Sequence, residues 1–413
     1  MKALNALLFL LASVPAHAAD PVIAAAGDIA CDPADTFYNG GQGTATACRM
    51  QATSDLALAG GYDAVLLLGD NQYLDGSLGK YRTVFGPTWG RLGSRLRPAP
   101  GNHEYLTPGA AGYYDYFGAA AGDRTQGWYS YELGTWHVVV LNSNCGEIGG
   151  CGPGSPQLRW LVADLASHPR ACTLAYWHHP RFSSGLHGND ATYDAFWRTL
   201  YAAGVDLVLA GHDHDYERFA PQDPDGHADP AHGIREIVAG TGGREVRPFA
   251  TVEANSEARN ATDLGILKLR LRADGYDWQW LNAPGGTFAD AGSAGCHNAP
   301  DATDLFLRQG RFQAQAIWRD AAGNTGTGHA AAPTADGSGL LWFFGPDNWE
   351  LLVKVIDGCA LNSRFWVFAA ATTDVEYTLT VTDTLNGRTT RYENALGRRS
   401  PAITDTGAFA TCP

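Results

Sequence analysis

Four short apolar runs and one mixed stretch in this chain each end in residues able to hold a metal ion, and that repetition limits the folds open to it. Residues 22–26 run into Gly27-Asp28, and 64–68 into Gly69-Asp70-Asn71-Gln72-Tyr73. The stretch 97–100 leads to Gly101-Asn102-His103-Glu104, 173–177 to His178-His179, and 205–210 to Gly211-His212-Asp213-His214-Asp215. Short apolar runs without polar alternation read as strands buried on both faces. Helical stretches lie between them. The clearest is 156–167, where Pro156 follows Ser155 and Leu158, Leu161, Val162 and Leu165 share a face. Strand and helix in alternation define an α/β domain, and in such sheets ligands gather beyond the carboxyl ends of strands. Asp, Asn and His at five strand ends in order therefore predict one convergent site. Mixed carboxylate, amide and imidazole donors suit first-row transition metals better than calcium. A central carboxylate can bridge two ions about 3.5–4 Å apart, the arrangement used for phosphoryl displacement.

The rest of the chain divides around that domain. Residues 1–18 carry Lys2, an apolar run from Ala6 to Val14, and the small residues Ala16 and Ala18. They predict a secretory signal peptide cut after Ala18, and hence a secreted or periplasmic protein. All eight cysteines lie beyond it: Cys31, Cys48, Cys145, Cys151, Cys172, Cys296, Cys359 and Cys412. An even count in an exported chain predicts disulfides. Cys145 with Cys151, and Cys31 with Cys48, are close enough to staple single loops; the other four have no assignable partners. Residues 19–290 are expected to form the catalytic domain, its sheet completed by antiparallel strands at 234–239, 266–271 and 276–281. Residues 291–302 read as a Gly-, Ala- and Pro-rich linker. Residues 303–413 read as an all-β, sandwich-like domain. Within it Phe312, Ala314, Ala316 and Trp318 fall on one strand face, and Asn386-Gly387 marks a hairpin. Trp342, Phe343, Phe344, Trp349, Trp366 and Phe368 are expected in its core. The net charge of −14 argues against a nucleic-acid partner. No run of 18 apolar residues follows the first segment, so no membrane span is expected.

The order GD, GDxxY, GNHE, xxxH, GHxH resembles that of the calcineurin-like metallophosphoesterase superfamily, and within it the purple acid phosphatases. The resemblance covers roughly residues 20–285. It implies a β-sandwich flanked by helices, in α/β/β/α layers, and two metal ions per chain. One ion would be held by Asp28, Tyr73 and His214, the other by Asn102, His178 and His212, with Asp70 bridging. His103 would protonate the leaving group, and His187, in Ser183-Ser184-Gly185-Leu186-His187, would contact the substrate phosphate and assist. His179 and Glu104 would orient their neighbours. The chain departs from the pattern at Asp28-Ile29-Ala30, where most of the superfamily places a ligating His third. Ala30 cannot ligate, and Tyr73 stands where a phenolate would replace the imidazole. A phenolate favours a trivalent ion, so the resemblance implies Fe(III) with a divalent ion: Fe, Zn or Mn.

The activity so implied is hydrolysis of a small phosphate monoester, by a hydroxide generated at the ions, as in acid phosphatases. Two rivals use the same residues: a phosphodiesterase or nucleotidase, and a structural metal-binding protein. A third is a surface-binding protein with an idle catalytic domain, its function lying in the C-terminal domain. That domain resembles β modules appended to secreted bacterial proteins and is a candidate for binding an unidentified surface or protein. No GxxxxGK[ST], GxSxG or HExxH motif occurs, so three competing chemistries lack support.

Overall fold

The computed structural model describes residues 19–412, except 169, 298–302, 309, 310 and 336. The expected signal peptide lies outside the described residues. Two sheets carry the first domain, their strands numbered in chain order. The first runs β13 (Ala291–Gly295), β12 (Gly275–Asn282), β11 (Gly265–Arg272), β1 (Val22–Ala26), β2 (Ala64–Leu68), β3 (Leu96–Ala99). The second runs β10 (Ser256–Asn260), β8 (Tyr216–Phe219), β9 (Arg235–Ala239), β7 (Leu207–Ala210), β6 (Cys172–Tyr176), β5 (Trp136–Val140), β4 (Tyr129–Leu133).

Burial on both faces explains the apolar runs. Along β1, Ile23 and Ala25 join the core between the sheets with Leu66, Leu68, Val138, Leu174 and Leu209. Ala24 and Ala26 turn outward into a second core with Met50, Ala57, Tyr81, Phe85 and Trp89, from the helix Met50–Ala59 and the turns after it. The other sheet repeats the pattern: Val139, Ala175 and Val208 pack under Leu158, Leu161, Phe196 and Trp197, from the helices Pro156–Ser167 and Asp194–Ala202. The layers are therefore α/β/β/α. Ser155 caps its helix by accepting the N–H of Leu158, with Pro156 in the first turn as expected.

Two expectations need correction. β9 pairs antiparallel with β8, as expected, but parallel with β7, where Leu207 lies opposite Arg235 and Ala210 opposite Val238. The excursion between β8 and β9 carries the chain back so that β9 enters beside β7 in the same direction. The expected linker also begins inside a strand, for β13 pairs antiparallel with Gly275–Gln279 of β12. The Cys172–Cys296 disulfide ties the end of this strand to β6.

The C-terminal residues form two sheets around one core. Leu305–Leu307, Phe312–Arg319, Glu376–Asp383 and Arg388–Asn394 make one, with Thr325–Thr327 at its side. His329–Ala335, Ser338–Gly345, Asn348–Asp357, Phe365–Ala371 and Ile403–Phe409 make the other. Phe312, Ala314 and Leu379 of the first meet Leu341, Val353 and Val367 of the second. Among the expected core aromatics only Phe343 is buried; Phe344 and Trp349 are about half exposed and Trp342, Trp366 and Phe368 are intermediate. Alternation along each strand turns those rings to the outer face. All eight cysteines are paired: Cys31–Cys48, Cys145–Cys151, Cys172–Cys296 and Cys359–Cys412. Among the described residues no helix is long and apolar enough to cross a membrane.

Candidate metal centre

The carboxyl ends of β1, β2 and β3 meet those of β6 and β7, and there the residues singled out in the sequence converge. Tyr73 Oη lies 2.7 Å from Asp28 Oδ1 and 3.0 Å from His214 Nε2. His214 Nε2 is 3.3 Å from Asp28 Oδ1. On the other side His178 Nε2 lies 3.1 Å from Asn102 Oδ1 and 3.2 Å from His212 Nδ1. Asp70 Oδ2 stands between the sets, 3.1 Å from Tyr73 Oη and 3.4 Å from His178 Nε2. His178 Nδ1 faces the Leu68 carbonyl at 2.8 Å. A carbonyl only accepts, so Nδ1 carries a proton and Nε2 is the nitrogen that faces the centre.

Asp28, Asp70, Tyr73, His178 and His214 are all nearly or wholly buried. Burial by itself would raise Asp70, but His178 and His103 hold it well below the usual carboxylate range. Burial likewise lowers His178, yet the Asp70 carboxylate lifts it to about 9. Burial, with His178 and His179 close by, pushes His212 down, which leaves its imidazole neutral and fit to ligate. Burial and the charges of Asp28 and Asp70 raise Tyr73 well above an ordinary phenol. Without cations its hydroxyl keeps its proton and donates to Asp28 Oδ1. Two buried carboxylates aimed into one cluster of oxygen and nitrogen donors are costly without positive charge. The residues present therefore fit a pair of cations, which would also favour the Tyr73 phenolate.

The surroundings hold these groups in place. Buried Glu104 binds both ligand loops: Oε2 accepts from Asp70 N and Gly101 N, and Oε1 from Asn71 N and the Tyr81 hydroxyl. Burial, and Asp70 beside it, raise Glu104 to about 7. His103 N–H donates to Asp70 Oδ1 at 2.9 Å, its Nδ1 contacts the Leu74 carbonyl, and its Nε2 lies 3.7 Å from Asp70 Oδ2. The His187 ring lies 4.0 Å from that of His212, with Nδ1 2.7 Å from Asp213 Oδ1. His179 Nδ1 is 2.7 Å from the Ser143 hydroxyl, and its ring lies 4.3 Å from that of His212. One ring nitrogen each of His178, His179 and His212 lies within 4.8 Å of the others.

Sequence reasoning missed two groups. Glu245 Oε1 lies 3.3 Å from His214 Nδ1, and Arg244, paired with Asp35 and Glu245, sits over the Tyr73 ring at 5.4 Å. Their signal was a sixth strand end: β9 closes on Gly240-Thr241-Gly242-Gly243 before them, in the glycine-rich manner of the other ends.

Residues 21–216 match the family model described as calcineurin-like phosphoesterase. That stretch is thus similar to calcineurin-like phosphoesterases, and part of the chain is similar to purple acid phosphatases. Acid phosphatase A of Cryphonectria parasitica is 35% identical over 142 residues, covering 29% of this chain and 28% of that protein. Purple acid phosphatase 18 of Arabidopsis thaliana is 30% identical over 201 residues, covering 45% of this chain and 44% of the relative. The chain thus spans less than half the length of these two relatives. In fold it is similar to the purple acid phosphatase PPD1 from yellow lupin (Lupinus luteus) seeds. That similarity has a TM-score of 0.56 at 19% identity and covers 68% of this chain and 55% of the lupin chain.

Proposed function

We propose that this chain is an exported phosphoesterase that hydrolyses small phosphate monoesters with two metal ions. The observation that supports it most is the position of Asp70 Oδ2 between two separate donor sets. Asp28, Tyr73 and His214 would hold one ion, Asn102, His178 and His212 the other, and Asp70 would bridge. The phenol of Tyr73 favours Fe(III) in the first place, with Fe, Zn or Mn divalent in the second. Such ions supply Lewis-acid neutralisation of phosphate charge and an activated water.

The protein's own part is positioning and proton delivery. His103 Nδ1 must donate to the Leu74 carbonyl, so only Nε2 is left to give a proton to the departing alcohol oxygen. General acid help of this kind is worth about 10²–10⁴-fold. His187 has its Nδ1 engaged by Asp213, so its Nε2 remains to contact the phosphate from the His212 side. The four disulfides agree with export, and the mature chain begins at Ala19. The test is full-length protein, loaded with iron and zinc, offered a monoester, a diester and a nucleotide. The expected result is two ions per chain, a monoester preference and loss of turnover on chelation. Asp70→Ala should lose both ions and activity. A variant with two ions and full rate, or a wild-type protein that cleaves none of the three, would overturn the assignment.

A further inference from the structure

The geometry points to a pocket beside the metal centre that takes the alcohol part of the ester, admits an uncharged aromatic group and disfavours one bearing a second anion, with Glu147 as the discriminating residue. This rests on the proposed phosphoesterase activity and adds the substrate class. The pocket, about 360 Å³, begins at Asn102 and His179 and passes Tyr105, Tyr193 and Leu106 to Glu147. That volume suits a single ring with a substituent.

The two tyrosines that line it offer their rings, their hydroxyls being engaged elsewhere. Tyr105 Oη accepts from Asn142 Nδ2 at 2.7 Å, and Tyr193 Oη donates to the Ser143 carbonyl at 3.1 Å. The Tyr193 ring lies 5.6 Å from that of His179 and nearly parallel to it. Leu106, 60% exposed, supplies an apolar rim. Glu147 is exposed on the loop closed by Cys145–Cys151, and it is the one carboxylate, with no Lys or Arg, among the described residues that line the pocket. The arginines near the centre, Arg244 and Arg247, stand by Tyr73 and His214 and are already paired with Glu245. A second anionic group on the alcohol would therefore meet a repelling carboxylate and no Lys or Arg along this wall, a repulsion reduced but not abolished by salt. The turn from Asn102 to Leu106 also carries His103, the group proposed to protonate the leaving oxygen.

The experiment compares phenyl phosphate with 4-carboxyphenyl phosphate on metal-loaded wild-type, Glu147→Gln and Glu147→Arg proteins. Taking each ester's change between proteins cancels the difference in leaving-group acidity. Glu147→Arg should raise kcat/KM for the carboxylated ester about tenfold relative to phenyl phosphate, equivalent to about 1.4 kcal/mol, mainly through KM; Glu147→Gln should fall between. A relative change under twofold in Glu147→Arg would overturn the pocket assignment while the phosphoesterase reading stands. Calorimetric binding of benzylphosphonate and 4-carboxybenzylphosphonate reads the same preference without turnover. Should wild type cleave neither ester, the activity fails, and the two phosphonates decide the pocket: a preference reversed by Glu147→Arg supports it, equal binding overturns it.

Discussion

Gly101→Ala tests how tightly the two ligand loops are locked together. Gly101 lies where β3 hands the chain to Asn102, with its backbone against Asp70. A Cβ at this position would sit 2.2 Å from Asp70 Oδ1 and 2.4 Å from Asp70 N, where ordinary contact begins at 3.4 Å. A shortfall of 1.2 Å to the carboxylate must be found by moving one loop. Neither loop is free to yield, because Gly101 N and Asp70 N share the same Glu104 oxygen at 2.6 and 3.0 Å. The displacement therefore falls on Asp70 or Asn102. A misplacement of about 1 Å in a catalytic arrangement costs on the order of 10²-fold. Gly101→Ala should lower kcat for an aryl phosphate by about that factor and reduce metal content below two ions per chain. The control is Gly79→Ala, where the added methyl meets nothing within 4 Å. Metal analysis and steady-state kinetics on both variants check it. A Gly101→Ala protein with two ions and more than half the wild-type rate would refute the claim that Glu104 locks these loops.

Three further outcomes are expected. His103→Ala should lower kcat at least about 10²-fold on an alkyl phosphate and less on a nitrophenyl phosphate, since only the poor leaving group needs the proton; equal losses would make His103 a positioning residue. Oxidised, iron-loaded protein should show a visible phenolate-to-iron band that Tyr73→Phe removes without unfolding, and a colourless iron-bearing wild type would count against Tyr73 as ligand. Burial raises Glu236, whose oxygens accept the Arg181 and Phe182 N–H groups, to about 8. Its stabilising contribution is full below the unfolded value near ~4.3 and is lost as pH rises through 8. Glu236→Gln should thus flatten the decline of Tm between pH 5 and 8, and an identical slope in both proteins would show the carboxyl ionised throughout.

The strands that deliver the proposed ligands were legible because β1 and β2 are packed from both sides and carry no polar residue, and β6 carries only Thr173. The residues they deliver were legible for a chemical reason: Asp, Asn and His crowd the strand ends, where capping or turn formation alone would not concentrate them. What was not legible depended on pairing. β13 reads Ala-Gly-Ser-Ala-Gly, which looks like linker because it lacks β-branched residues. Its smallness instead answers Trp278, whose ring would lie 2.3 Å from a Cβ at Gly292. β9 lost its parallel direction to the same ignorance of neighbours, and with it went Arg244 and Glu245. The aromatics of the C-terminal domain were misassigned for a different reason. Their strands alternate, and counting rings without fixing the inward register placed Trp349 and Phe344 inside.

The same neighbours decide why the proposed ligands stay where they are. Asp28, Asp70 and His212 have φ of +59°, +49° and +70°, a left-handed conformation that costs a non-glycine residue roughly 1–3 kcal/mol. Three such residues at one centre persist only if the surroundings over-determine them. They do so by ties between the strand ends, three of which cross from one sheet to the other. His212 N donates to Asp28 Oδ2 at 2.8 Å, and Gly27 N donates to the Ala239 carbonyl at 2.9 Å. His178 Nδ1 reaches Leu68 O from β6 to β2, and Asp28 N donates to Gly69 O at 3.1 Å within the first sheet. Each tie takes a ligand residue or its neighbour as one partner and the end of a buried strand as the other. The strain at the ligands is therefore held by the packing of the sandwich, whose two sheets would have to slide for any one ligand to relax. The centre belongs to neither sheet. It is formed by the register between them, which is why the short buried strands and the glycines at their ends matter to the proposed chemistry as much as the proposed ligands themselves.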